Sequence, residues 1–162
     1  MKSRSQQQSN FKVDWLLVNE LAIGPAPRTE VHLKLLKESG IKSIISLCSI
    51  QEAPPPEQMF NIFNCKRFVL PDHKAGRAPE LSEFVEAMSI LKETIKEGPL
   101  FVHCFAAVER SPLLCLAWIM LSQRINQKRA LEYLMSAHPG TSPTADQLNV
   151  VKEYAESKFF KI

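Results

Sequence analysis

Pro99-Leu100-Phe101-Val102-His103-Cys104-Phe105-Ala106-Ala107-Val108-Glu109-Arg110-Ser111-Pro112 passes from an apolar run, through a short mixed loop, into a second apolar segment that ends at Leu121. Strand, tight loop and helix in that order turn backbone N–H groups into one concavity and set a helix N-terminus beneath it. Such a loop suits a doubly charged oxyanion. Five residues separate Cys104 from Arg110. A cysteine is a nucleophile only as thiolate, a form that a helix N-terminus and nearby positive charge favour. Arg110 offers a planar fork of donors that matches two phosphate oxygens, which a lysine does not. His103 can orient the loop or add positive character, and Ser111 can donate a hydrogen bond to the sulfur and steady it as a leaving group. Each residue also has a structural reading: Cys104 as a small buried apolar group, Arg110 as a solvated surface charge, and Ser111-Pro112 as an ordinary helix start. The combination carries the functional reading.

Working outward, strand-like runs are Trp15–Val18, Leu21–Ile23, Ser43–Leu47, Phe68–Leu70 and Leu100–His103. Helical stretches are Glu30–Glu38, Glu80–Glu97, Ser111–Ser122, Gln127–Ala137 and Thr144–Phe159. In the second of these, apolar residues at 81, 84, 85, 88, 91 and 95 mark one face of a 3.6-residue repeat, with Glu80 and Glu83 in the first turn. Gly40 and Gly98 stand where helices end. This alternation predicts an α/β fold: a central mixed, partly parallel sheet flanked by helices, with the loop at a strand's carboxyl end. Gln51 to Gln58, with three consecutive prolines, reads as a stiff surface loop bordering the cleft.

His103-Cys104-x5-Arg110-Ser111 resembles the signature loop of the cysteine-dependent protein tyrosine phosphatases, in particular their small dual-specificity branch. The segments Glu20–Pro25, Leu35–Leu47, His138–Pro143 and Gln147-Leu148 resemble that branch in the same order, so the likeness spans residues 12–156. The resemblance implies hydrolysis of phosphotyrosine and phosphoserine or phosphothreonine through a cysteinyl-phosphate. It implies Cys104, Arg110 and Ser111 as catalytic residues, and His103, Phe105, Ala106, Ala107, Val108, Glu109 and Arg110 as the substrate-binding loop. It also implies a general acid, for which Asp72 in Val69-Leu70-Pro71-Asp72-His73 stands at the matching place; the other reading of Pro71-Asp72 is a turn after a strand.

Three positions depart from the family pattern. Ala107 occupies a place usually held by glycine; if that place needs a positive φ, a Cβ there costs roughly 1–2 kcal/mol. Glu109 puts an acidic residue in an anion loop, although the rhodanese-related cell-cycle phosphatases carry a similar Glu. Thr144 stands where the branch often has an Asn supporting the loop. A non-catalytic phosphate-binding module is therefore an alternative, as is a sulfur or arsenate enzyme with a similar loop. Phe63–Cys65 with Pro71–His73 is also similar to the tensin-related phosphoinositide phosphatases. Glu109 should repel a multiply phosphorylated headgroup, which ranks phosphoinositides below phosphoproteins. In those enzymes a cysteine at the place of Cys65 forms a disulfide with the nucleophile, so Cys65 is read either as a redox partner of Cys104 or as a buried strand cysteine, while Cys48 and Cys115 read as core.

The length of 162 residues suits one phosphatase domain, 11–162, after a polar, disordered arm at 1–10. A net charge of +3 is too small to argue for nucleic acid. Lys66, Arg67, Lys74 and Arg77 flank the acid segment, as a rim for anionic substrates or as solvated surface groups. No apolar run reaches the roughly 18 residues of a membrane span. Four cysteines do not suggest a disulfide framework, and no Cys/His spacing suggests a metal. The expected partner is a phosphorylated protein, and the expectation is a cytoplasmic monomer without cofactor, nucleic-acid partner or membrane insertion.

Overall fold

The computed structural model describes residues 11–159; the N-terminal arm expected at 1–10 lies outside them. Five strands, β1 (Asp14–Leu17), β2 (Leu21–Gly24), β3 (Ser43–Ser46), β4 (Asn64–Arg67) and β5 (Leu100–His103), form one sheet in the order β1-β2-β5-β3-β4. Only β1 runs antiparallel to its neighbour. Six helices complete the fold: α1 (Glu30–Glu38), α2 (Met59–Ile62), α3 (Leu81–Thr94), α4 (Arg110–Gln123), α5 (Gln127–Ala137) and α6 (Ala145–Phe159). This is the mixed α/β architecture that the alternation of elements predicts.

β5 is the central strand, and all four of its residues are buried. Its side chains feed two cores. Leu100 and Val102 join a large cluster with α3, α4, α5 and α6, including Phe84, Met88, Leu116, Leu134 and Tyr154. Phe101 joins a second cluster on the other face, with Ile44, Leu33 and Leu36 of α1 and Met59 of α2. A strand apolar on both sides is what a doubly covered, largely parallel sheet requires. The helix that follows the loop, α4, is buried nearly all round, as expected of a helix between a sheet and other helices.

Two expectations are corrected. The strand expected at Phe68–Leu70 lies earlier, at Asn64–Arg67, paired in register with Ser43–Ser46. As an edge strand it has one neighbour and need not be apolar, so the polar sequence Asn-Cys-Lys-Arg carries the ladder. Phe68 and Leu70 still donate to Ser46 and Leu47 carbonyls as the chain runs on beyond the ladder. In α3 the buried positions are Phe84, Ala87, Met88, Leu91 and Thr94, whereas Leu81 and Val85 are exposed. The helix is also shorter than Glu80–Glu97: Glu80 is its N-cap, its amide bonded to the Glu83 carboxylate, and Ile95–Glu97 tightens into a 3₁₀ turn.

Gly24 ties the edge of the sheet to the loop. It pairs with His103, and a Cβ built on it would lie 2.4 Å from the Lys12 carbonyl and 2.9 Å from the Phe101 ring. Backbone and a packed aromatic cannot both yield. Gly24→Ala is therefore expected to destabilise the fold by about 1–3 kcal/mol, the usual range for overpacking, read as a lower denaturation midpoint at unchanged denaturant dependence.

Candidate active site

Between the end of β5 and the start of α4 the chain folds back on itself, and its carbonyls are held from outside. Cys104 O accepts from His103 Nδ1 at 2.9 Å, Phe105 O from the Ala26 amide at 3.2 Å, Ala107 O from His138 Nε2 at 2.7 Å and Val108 O from the Ser142 amide at 3.0 Å. No amide from Phe105 to Glu109 donates to a protein acceptor among the described residues. Carbonyls turned outward leave the amides for the concavity, the arrangement of an anion nest. The bend requires a left-handed residue, and that residue is Ala107, at φ 58°. It thus carries the strain that its place in the sequence implied. Cys104, 2% exposed as a residue, sits at the base with its sulfur 3.2 Å from Ser111 Oγ.

His103 orients this loop and does not charge it. Burial pushes its pKa down to about 4, so the ring is neutral at neutral pH. In the neutral tautomer Nδ1–H donates to Cys104 O, and Nε2 accepts from Ser46 Oγ at 2.6 Å. Of the two roles open to His103 in the sequence, orienting the loop or adding positive character, the buried neutral ring fits the first. On the far side of the loop, His138 links Ala107 to β1, its Nδ1 lying 2.6 Å from the Asp14 carboxylate.

Arg110 is 3% exposed, and its two terminal nitrogens are held by protein acceptors while Nε bonds none among the described residues. Nη1 donates to the carbonyls of Leu47 and Leu70 at 3.3 and 3.2 Å, and the guanidinium reaches Glu52 through Nη2 at 2.8 Å and Nη1 at 3.3 Å. These bonds hold the Glu52 carboxyl down at about 2. The sequence reading missed Glu52, although its loop was expected to border the cleft. The signal was Ser49-x-x-Glu52, a capping-box spacing: Ser49 N donates to Glu52 Oε2 at 2.8 Å, and Glu52 N to Ser49 Oγ at 3.2 Å.

Asp72 stands over the same site, Oδ2 3.8 Å from Arg110 Nη2. Its other oxygen accepts from the Lys74 amide at 3.0 Å and caps a 3₁₀ turn, His73–Ala75. Cys104, Arg110, Glu52, Asp72, His73 and Lys74 line one cavity of about 320 Å³, with the side chains of Phe105 and Val108 half-exposed at its mouth. Of the expected cationic rim, Lys74 alone lines this cavity; Arg67 bonds the Cys48 carbonyl, Arg77 pairs with Glu83 at 2.6 Å, and Lys66 is exposed on β4. Glu109 lines it too, but its carboxylate is engaged: Oε2 lies 2.5 Å from His73 Nδ1, and Oε1 accepts from Gln147 Nε2 at 3.1 Å. Gln147 was also missed. Thr144-x-x-Gln147 is the capping box of α6, with Thr144 Oγ1 accepting from the Gln147 amide, so Thr144 serves the helix start while Gln147 reaches the loop.

Cys65 is not brought to Cys104. It packs in the α1–α2 core, its thiol facing the Met59 and Phe63 carbonyls at 3.6 Å. Cys48 and Cys115 are both buried, in keeping with the core reading, and burial pushes both thiols up.

Residues 23–157 match the family described as dual specificity phosphatase, catalytic domain. The chain belongs to that family. Among curated relatives, the phosphatidylglycerophosphate phosphatase PTPMT2 of Arabidopsis thaliana is 23% identical over 94% of this chain and 67% of its own length. Dual specificity protein phosphatase 5 of Rattus norvegicus is 30% identical over 51% of this chain, but only 21% of its own length. Among solved structures, Tk-PTP in its active form superposes with a TM-score of 0.76 at 22% identity, covering 89% of this chain and 96% of that one. The two chains share one fold.

The burial of His103 has a measurable consequence. Its proton is refused in the folded state down to about pH 4 and taken up by the unfolded chain near 6.5, so its contribution to stability is complete above 6.5 and lost as pH falls toward 4. His103→Asn, whose side-chain amide can still donate to Cys104 O, is expected to lose less stability over that window than the wild type. Urea denaturation at several pH values checks it, and equal slopes for the two proteins would contradict it.

Proposed function

We propose that this chain hydrolyses phosphate monoesters on proteins, phosphotyrosine and phosphoserine or phosphothreonine alike, through a cysteinyl-phosphate at Cys104. The observation that carries this reading is the sulfur of Cys104, 3.2 Å from Ser111 Oγ, at the base of a cavity that Arg110 and Asp72 also line. In the first step the thiolate attacks phosphorus while the loop amides and Arg110 hold the equatorial oxygens, where negative charge is concentrated. The bond to the leaving oxygen breaks, and Asp72 gives that oxygen its proton. In the second step Asp72, now a carboxylate, takes a proton from water as the water attacks phosphorus. The S–P bond breaks, Ser111 donates to the departing sulfur, and inorganic phosphate leaves.

A phospholipid monoester is a second reading, favoured by one observation. Glu109, the residue expected to repel a phosphorylated headgroup, is turned to His73 and Gln147. The plant relative named for phosphatidylglycerophosphate, which matches nearly the whole chain, supports the same reading.

Hydrolysis of para-nitrophenyl phosphate is expected in the wild type, inhibited by vanadate and insensitive to chelators. Cys104→Ser should abolish turnover and keep phosphate binding, and Asp72→Asn should slow turnover by about 10²-fold or more. A folded wild type that binds phosphate without turnover would favour the binding module. Phosphopeptides and phosphatidylglycerophosphate, compared at equal concentration, then separate the two substrate classes.

A further inference from the structure

The acid turn lacks what usually holds a loop in place. No residue from Pro71 to Ala78 is buried, although Leu70 before it and Pro79 after it are. Between the turn and the start of α6 runs a surface cleft of about 180 Å³, lined by His73, Gly76, Arg77, Thr144, Asp146 and Gln147. A segment with so few apolar contacts belongs to the low-stability end of a structure. Two carboxylates hold it. Glu83 of α3 binds Arg77 at its far end through two bonds, 2.6 and 3.2 Å long. Glu109 of the signature loop binds His73, the residue next to Asp72.

Glu109 is well placed for this. Its side chain is 13% exposed, and its second oxygen is bonded to Gln147, a residue 2% exposed whose own amide oxygen accepts from the Thr144 backbone. The carboxylate is therefore fixed from the helix side and presents one oxygen to the turn. We propose that Glu109 is a positioning residue for the proton donor: by binding His73 it latches the acid turn over Cys104 and keeps Asp72 at the leaving oxygen. This rests on the reading of Asp72 as the general acid. It gives the acidic residue in an anion loop a task, and it ties the proton donor to the same peptide that binds phosphate.

A leaving group of low pKa departs with little proton donation, whereas one of high pKa depends on it. The test is kcat/KM, which reports the step that expels the leaving group, for para-nitrophenyl phosphate and for phenyl phosphate in the wild type, Glu109→Ala, Gln147→Ala, Asp72→Asn and the Glu109→Ala/Asp72→Asn pair. The latch predicts that Glu109→Ala lowers kcat/KM for phenyl phosphate at least tenfold more than for the nitrophenyl ester, with Gln147→Ala showing the same bias more weakly. It also predicts that Glu109→Ala adds no leaving-group bias on top of Asp72→Asn. An equal loss on both esters, or an added bias that persists in the Asp72→Asn background, would overturn it. Amide exchange gives a readout independent of turnover: the Lys74, Ala75 and Gly76 amides, which bond within the turn, should exchange at least tenfold faster in Glu109→Ala, and unchanged exchange would refute the latch. Failure of the wild type to hydrolyse either ester would sink the phosphatase reading, and exchange would still decide whether Glu109 holds the turn.

Discussion

The site depends on where the carbonyls of one loop point. A loop that is to face an anion must turn its oxygens away, and an oxygen turned into protein must find a donor or pay for its burial. Here the donors come from four different places: the His103 ring at the end of β5, the Ala26 amide after β2, the His138 ring after α5 and the Ser142 amide before α6. Remove the sheet order or the α5–α6 connection and those donors are elsewhere. The fold, in this sense, is the set of hydrogen bonds that holds the carbonyls of Cys104, Phe105, Ala107 and Val108 and leaves the amides of Phe105 to Glu109 without a protein acceptor among the described residues.

The charged groups follow a similar division. Arg110 is buried and would be costly there alone. Glu52 supplies the opposite charge, while the Leu47 and Leu70 carbonyls occupy further donors. Those carbonyls sit at the ends of β3 and of the segment leading to Asp72, so the guanidinium also ties the signature loop to the approach of the acid turn. His103, by contrast, is kept neutral by the same burial. One histidine and one arginine, a few residues apart on one loop, thus take opposite roles, because only the arginine has a carboxylate within reach.

Much of this was legible in the chain. The central strand, the loop and α4 are local in sequence and strongly patterned, and every helix longer than one turn falls within a few residues of its expected place. What escaped was long-range or weakly patterned. β4 is a polar edge strand whose identity comes from pairing with β3, which no local period reports. Glu52 reaches Arg110 across 58 residues and Gln147 reaches Glu109 across 38; each sits in a capping box that announces a turn, but neither spacing says what the carboxylate or amide will touch next. The exposure of Leu81 and Val85 shows the reverse case, a correct helical period whose phase is set by the partner surface. Cys65 shows a third: proximity suggested by a short motif is undone by the pleat, because Ile44, Cys65 and Phe101 share the sheet face opposite the larger core to which Cys104 belongs.

Ala107 brings these constraints together. A left-handed alanine costs roughly 1–2 kcal/mol relative to an unstrained one, which is the argument for glycine at such a place. Against that, Ala107 is 1% exposed and its methyl belongs to the large core cluster, and burying one carbon is worth about 0.8 kcal/mol. The burial offsets part of the cost. With His138 holding its carbonyl from behind, the loop keeps the bend that glycine usually provides. Strain at this residue is thus met by packing on one side and a hydrogen bond on the other, which is why an alanine stands where the family usually has glycine without the left-handed bend being lost.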